Sequence, residues 1–154
     1  MNPRLSPALT ILTRGSFHPQ GMQRCRTSLQ LQTDPDFEHL ACPDGQFHDI
    51  KDKLNGDYIY IVDADSFIVC PSFIEDFKKL DKLTADIIIV KGWLGQLEIP
   101  AKWEQATSGF VKSSFIIKQE VFKEYYNPPF NLETLSLLDY AWWDKYIFYT
   151  EHKI

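Results

Sequence analysis

The sequence predicts an α/β protein, a three-layer sandwich with a mostly parallel central sheet. Short apolar runs alternate with amphipathic helical segments along the chain, which is the order typical of parallel α/β folds. Residues 58–62 and 86–90 are largely apolar on both faces, as strands covered on both sides should be. The chain has 154 residues, 44% of them hydrophobic, with no repeat or linker. We therefore expect residues 1–154 to form a single domain.

Strands are predicted where β-branched and other apolar residues run between turn residues. The predicted strands are residues 8–13, 37–42, 58–62, 86–90, 111–117 and 147–150. Helices are predicted where apolar residues recur at helical spacing. They are a segment through Met22, Cys25 and Leu29 that ends before Asp34, and residues 48–54, 72–80, 118–125 and 135–146. Ser72 and Glu75 have the spacing of a capping box at the start of the third helix.

Two aspartates directly follow the central strand at 58–62. Asp63 and Asp65 are two residues apart, which directs both side chains to the same side of an extended chain. Carboxylates at a buried strand end are costly unless they are paired or bound to metal. A hard cation, Mn²⁺ or Mg²⁺, takes oxygen ligands and shares its shell with phosphates. The alternative is a strand end with two solvated carboxylates.

Other polar residues end the neighbouring predicted strands. Thr13 and Arg14 follow the first strand, and Asp44 follows the second. Ligands of parallel sheets bind outside the carboxyl ends of the strands, so we expect these residues to share one rim with Asp63 and Asp65.

Composition excludes several classes of function. The net charge of −5 gives no general attraction for nucleic acid or anionic membranes. No apolar run reaches the ~20 residues of a transmembrane helix, and no signal-peptide pattern follows Met1. The three cysteines, Cys25, Cys42 and Cys70, are too few and isolated for a disulfide framework and are expected to be buried free thiols. We expect a cytoplasmic protein.

Residues 56–65 combine Gly56-Asp57-Tyr58, an apolar strand and Asp63-Ala64-Asp65. This segment resembles glycosyltransferase family 2 and related enzymes of the GT-A fold, the nucleotide-diphospho-sugar transferase type. Residues 9–14, and residues 28–38 with their Ser-Leu-x-x-Gln-Thr pattern, are similar to the family's first strand and to its helix exit and second strand. The resemblance covers residues 8–80 and is looser beyond them. Only 11 residues separate Asp44 from Gly56, where typical members have a longer segment that flanks the nucleotide.

The resemblance implies sugar transfer from a UDP- or GDP-sugar to a glycan or another hydroxyl acceptor. The residues expected to bind the donor nucleotide are Thr13, Arg14, Asp44, Asp63 and Ala64. Asp63 and Asp65 would hold Mn²⁺ or Mg²⁺, and His152 would complete the metal shell unless it is a solvated residue of the tail. Asp139 would be the catalytic base of an inverting reaction, with Asp144 as a rival.

The acceptor site is expected to use tryptophan, because sugars stack their apolar faces on aromatic rings. Trp103 with Trp142 or Trp143 are the candidates, and core packing is the alternative. Trp142 and Trp143 are adjacent, so both cannot face inward on one helix. Two other functions stay open: a nucleotidyltransferase, and a non-catalytic module that binds a carbohydrate or a partner.

Overall fold

The computed structural model describes residues 7–14, 19–42, 53–63, 66–80, 85–94, 96–99, 115–125 and 138–150. The strands in these ranges are β1 (Leu9–Arg14), β2 (Phe37–Cys42), β3 (Tyr58–Asp63), β4 (Ser66–Ile68), β5 (Ile87–Leu94), β6 (Leu97–Ile99), β7 (Phe115–Lys118) and β8 (Tyr140–Thr150). The helices are α1 (Pro19–Gln30), α2 (Phe73–Lys78) and α3 (Gln119–Tyr125). None of these helices is long and apolar enough to cross a membrane.

The strands form one mixed sheet in the order β2-β1-β3-β7-β5-β8-β4, with β6 paired to β5. β1 is parallel to β2 and β3, and β5 is parallel to β8. β7 runs antiparallel to both β3 and β5, while β4 and β6 are antiparallel to β8 and β5. The prediction of a mostly parallel sheet is therefore wrong. A buried apolar strand has the same composition in either direction, so its direction depends on connections that local sequence does not reveal.

Apolar side chains are buried on both faces of the sheet. Alternation along β3 places Tyr58, Tyr60 and Val62 on one face, together with residues of α1 and α2. Ile59 and Ile61 lie on the other face, together with residues of α3. We call these the α1–α2 face and the α3 face. The prediction that residues 58–62 form a strand covered on both sides is confirmed.

The predicted helix at 135–146 is wrong from Tyr140 onward, because that segment is the first part of β8. Its aromatic residues matched helical spacing, but neighbouring residues alternate between the two faces as in a strand. Trp143 packs against Phe73 and Phe77 of α2, with ring centroids 6.0 and 6.2 Å apart. Trp142 is 40% exposed. Short apolar runs rich in aromatics do not distinguish strand from helix by periodicity alone.

Other predicted elements agree more closely with the structure. The strands expected at 8–13, 37–42, 58–62 and 86–90 and the helix expected at 118–125 are confirmed within a few residues. β4 and β6 were not predicted, since three residues are too few to show a period. The capping box is wrong: the Ser72 hydroxyl makes no cap and donates to Asp76 Oδ2 at 2.8 Å.

Candidate functional site

The carboxyl ends of β1, β2 and β3 lie at the same edge of the sheet. Arg14, the last residue of β1, is paired with Cys42 on one side and with Asp63 on the other. We call this edge the rim. Asp44, Ala64, Asp65 and the side chains of Arg14 and Asp63 lie outside the described residues. Within the described part of the chain, no three His, Cys, Asp or Glu side chains group as metal ligands do, so the metal site stays a prediction.

The end of β8 lies beside the segment that follows the Asp-x-Asp motif. Ser66, the residue after Asp65, is paired with Thr150 in the antiparallel β4–β8 ladder. The backbone N–H of Val69 also donates to the Ile147 carbonyl at 2.8 Å. Residues 64–65 therefore connect the end of β3 to the start of β4, and the start of β4 is paired with the end of β8. His152, two residues after Thr150, is outside the described ranges.

Two side chains of the α1 region attach the segment after the motif to the helix. Ser28 Oγ accepts a hydrogen bond from the Ile68 N–H at 3.1 Å and donates to the Cys25 carbonyl at 2.6 Å. Gln32 donates through Nε2 to the Cys70 carbonyl at 2.9 Å, and its Oε1 accepts from the Ile74 N–H at 3.2 Å. The Ser-Leu-x-x-Gln-Thr pattern thus has a structural explanation: it holds residues 66–74 in place.

Thr33, the last residue of that pattern, adds two bonds to the same connection. Its hydroxyl donates to Glu75 Oε2 at 3.1 Å, and its N–H donates to the Pro71 carbonyl at 3.0 Å. Glu75, expected to serve the capping box, therefore accepts from Thr33 instead.

Thr13 is buried, and its hydroxyl is engaged within the protein. Its Oγ1 lies 2.7 Å from His39 Nε2 and 3.6 Å from the buried thiol of Cys25, which forms no disulfide. Burial lowers the pKa of His39, and the nearby charge of Arg26 lowers it further, so the ring is neutral at pH 7. Thr13 therefore fixes the end of β1 next to Arg14 through contacts inside the protein. Thr13 is paired with Ala41, two residues after His39 on the neighbouring parallel strand, so predicting this contact from sequence requires the register of β1 and β2.

Gly56 fixes the start of β3 through a close backbone approach. Its N–H donates to Thr10 Oγ1 at 2.7 Å, and Thr10 Oγ1 donates to Glu38 Oε1 at 2.5 Å. A Cβ added at Gly56 would lie 2.6 Å from the carbonyl carbon of Leu9 and would clash with the Thr10 backbone. The glycine of the Gly-Asp-Tyr pattern is therefore required by packing.

The structure does not bring Asp139 together with Asp63. One row of paired residues crosses the sheet from β3 to β8: Ile59, Ile117, Ile87 and Tyr140. Asp139 comes one residue before Tyr140, so it lies at the level of the amino end of β3. Asp63 is the last residue of β3, at the carboxyl end. At about 3.3 Å per residue, the two levels are roughly 16 Å apart along the strands. The Asp139 N–H donates to Asp86 Oδ2 at 3.1 Å.

Asp144, the rival candidate, lies at the level of the rim. It falls in an irregular part of the β5–β8 ladder, between the pairs Val90–Trp143 and Lys91–Tyr146. Ile88 of β5 and Tyr60 of β3 are both paired with Ile116 of β7, so they lie at the same level of the sheet. Lys91 and Asp63 each come three residues later, so these two residues also share a level. Lys91 Nζ lies 2.5 Å from Asp144 Oδ1, and the Asp144 side chain is 81% exposed. A solvent-accessible carboxylate therefore lies at the level of Asp63, three strands away across the sheet, which is about 14 Å at 4.8 Å per strand.

The tryptophans expected at the acceptor site separate into surface and core. Trp142 is on the surface of the α3 face, and Trp143 belongs to the core of the α1–α2 face. Trp103 lies outside the described residues. The expectation that only one of the adjacent pair faces inward is confirmed, although on a strand.

Comparison with protein-family models and with curated proteins gives no match to this sequence. Among solved structures, S. aureus TarS 1–349 in complex with UDP-GlcNAc is similar, with a TM-score of 0.66 and 14% identity over 94% of this chain. The chain shares the fold of TarS. HddC from Yersinia pseudotuberculosis has a TM-score of 0.53 at 12% identity, covering 94% of this chain and 93% of its own. This chain spans 60% of the TarS fragment, and at such identities the likeness shows the fold alone.

Proposed function

We propose that the chain is a glycosyltransferase of the GT-A type that takes a nucleotide-sugar donor and transfers the sugar to a hydroxyl. The observation that carries the proposal is the parallel register of β1, β2 and β3, which places Arg14 beside Asp63 at the rim. TarS, whose fold is similar, has been crystallised with UDP-GlcNAc and with UDP. The edge used is the one where parallel sheets bind ligands.

The donor would bind at the rim with its diphosphate next to Asp63 and Asp65. Carboxylates suit a hard cation, and we propose that both aspartates hold Mn²⁺ or Mg²⁺. When bound, the cation stabilises the negative charge of the leaving diphosphate. The pairing of Thr150 with Ser66 supports His152 as a further ligand, because a strand rises about 3.3 Å per residue and the distance to span is short.

Residues of the first two strand ends would contact the nucleotide. Arg14 brings a positive charge to the rim of an acidic protein, and Asp44 and Ala64 complete the proposed donor site. Thr13, with its hydroxyl bound to His39, would act by holding Arg14 in position. These assignments rest on where the strands end.

A carboxylate of β8 would accept the proton of the acceptor hydroxyl. Sequence proposes Asp139, but the register supports Asp144, which lies at the level of Asp63. A general base must come within hydrogen-bond reach of the proton that it removes. A base opposite the leaving group gives inversion at the sugar carbon, so a product of retained configuration would overturn this part of the proposal.

One observation favours a second candidate, a module that binds sugar or partner without turnover. The segment of 11 residues between Asp44 and Gly56 is short for an enzyme that encloses its nucleotide. Such a module would keep the fold and need no metal-dependent donor binding.

Calorimetric titration with UDP- and GDP-sugars, with and without Mn²⁺, tests the proposal. We expect binding that needs the metal and weakens at least tenfold in Asp65→Ala. Asp57→Ala is the matched control, because the exposed Asp57 precedes the opposite end of β3. Product analysis then separates transfer of the sugar from transfer of the nucleotide. If no donor binds in a metal-dependent way, the non-catalytic module is correct.

A further inference from the structure

Every second residue from position 140 to position 146 of β8 is exposed on the α3 face. These residues are Tyr140, Trp142, Asp144 and Tyr146, which we call the β8 row. The three aromatic residues are 47%, 40% and 37% exposed in that order. Tyr140, Trp142 and Tyr146 are paired with Ile87, Ile89 and Lys91, alternate residues of β5 on this face, and Asp144 contacts Lys91, so the row is a strip on one face. Exposed apolar patches of this kind mark interaction sites.

Neighbouring residues of β5 make the carboxyl end of the row rigid. The ring of Trp93 stacks on Tyr146, with centroids 4.9 Å apart and planes 12° apart. Lys91 Nζ lies 5.6 Å from the centre of the same Tyr146 ring and 2.5 Å from Asp144 Oδ1. Aromatic faces and charged hydrogen-bonding groups are thus held together on one surface.

The row runs in the same direction as β3 and ends at the level of the rim. Tyr140 lies at the level of Ile59, near the start of β3, and Tyr146 is paired with Lys91, at the level of Asp63. From Ile87 to Lys91, the partners of the two ends of the row, β5 advances four residues, roughly 13 Å, which is long enough for more than one sugar ring. On the same face, Val121 and Phe122 of α3 pack with Ile59 and other core residues.

We propose that the β8 row binds an extended glycan, the acceptor, and presents its terminal hydroxyl near Asp144, at the level of the rim. This inference rests on the proposed function. Flat aromatic side chains offer the apolar surface that stacks on sugar rings, and the Asp144 carboxylate, 81% exposed, can accept hydrogen bonds from sugar hydroxyls. A protein partner fits less well, because the centres of protein interfaces are depleted of charged residues.

The test uses intrinsic fluorescence and calorimetry of the whole chain, without donor or metal. The probes are cello-, malto- and chito-oligosaccharides of one to six units. We expect affinity to rise at least tenfold from the monosaccharide to the tetrasaccharide in one series. Trp142→Ala and Tyr146→Ala should each lose at least tenfold in affinity for the longer members. Leu31→Ala is the control, because Leu31 is 64% exposed on the opposite side of the fold, just after α1.

Donor titrations of the same variants separate the two proposals. We expect metal-dependent donor binding to be unchanged in Trp142→Ala and Tyr146→Ala. Donor binding with no length-dependent oligosaccharide binding would overturn the inference alone. Oligosaccharide binding without donor binding would overturn the proposed function and leave the β8 row a glycan site. Self-association that Trp142→Ala abolishes, with oligosaccharide binding intact, would assign the row to a second copy and refute the inference.

Discussion

Replacing Gln32 by alanine should destabilise the fold through the segment that follows the Asp-x-Asp motif. The side chain donates to the Cys70 carbonyl and accepts from the Ile74 N–H, and both bonds are partly buried. A hydrogen bond of this kind contributes about 1 kcal/mol net, so losing both should cost about 2 kcal/mol of unfolding free energy. For a chain of this length, that loss lowers Tm by roughly 4–8 °C.

Urea unfolding monitored by circular dichroism measures this cost, and two further variants sharpen it. Gln32→Glu keeps the acceptor for the Ile74 N–H but sets a carboxylate oxygen against the Cys70 carbonyl, so at pH 7 it should be no more stable than Gln32→Ala. Gln30→Ala is the matched control, an exposed glutamine at the end of α1. It should stay within about 0.5 kcal/mol of the wild type.

The same variants show whether the connection also positions the donor site. At a temperature where every variant is folded, Gln32→Ala should weaken metal-dependent donor binding, because Asp65 lies directly before the segment held by Gln32. A role in stability alone would lower Tm and leave the dissociation constant unchanged. If Gln32→Ala is as stable as Gln30→Ala, the reasoning from the two hydrogen bonds is refuted.

Three other predictions test the site from different directions. Gly56→Ala should cost about 3 kcal/mol or more in urea unfolding, because the added Cβ meets the Thr10 backbone, and a smaller loss would refute the packing argument. The folded pKa of His39 is below the unfolded value of about 6.5, so the unfolded chain takes up the proton first and stability falls from pH 7 to pH 5. His39→Gln should flatten this pH dependence, and an unchanged slope would exclude His39 as its source. Asp144→Asn should lower kcat at least a hundredfold while Asp139→Asn changes it little, and the reverse order would assign the base to Asp139.

Much of the first half of the fold could be predicted from sequence because its signals are local. The strand at 58–62 has an unbroken apolar run, and both faces are buried as expected. Parallel pairing then brought the ends of β1, β2 and β3 to one edge, which follows from the strand boundaries and the rule for parallel sheets. The shared position of Arg14 and Asp63 was therefore within reach of the sequence.

The strand at residues 140–146 could not be predicted, because its structure depends on partners distant in the chain. β8 is a strand because it pairs with β5 on one side and with β4 on the other, and neither partner is visible in residues 140–150 themselves. Asp139, expected as the base from the family resemblance, lies at the level of the amino end of β3, and Asp144 lies at the level of the rim.

The motifs behind the family resemblance mostly serve the fold. Thr13 at the end of β1 contacts Cys25 of α1, whose carbonyl accepts from Ser28, and Ser28 in turn holds Ile68 of β4. Through these contacts α1 connects the two strands that flank residues 64–65. Such contacts would persist in a protein that had lost catalysis, since packing and hydrogen bonds maintain them without any ligand. The resemblance outside the Asp-x-Asp motif is therefore evidence for a scaffold able to hold a donor site. Evidence for turnover must come from Asp63, Asp65 and a carboxylate of β8, which is why the metal-dependent titration and the comparison of Asp139 with Asp144 decide between the enzyme and the binding module.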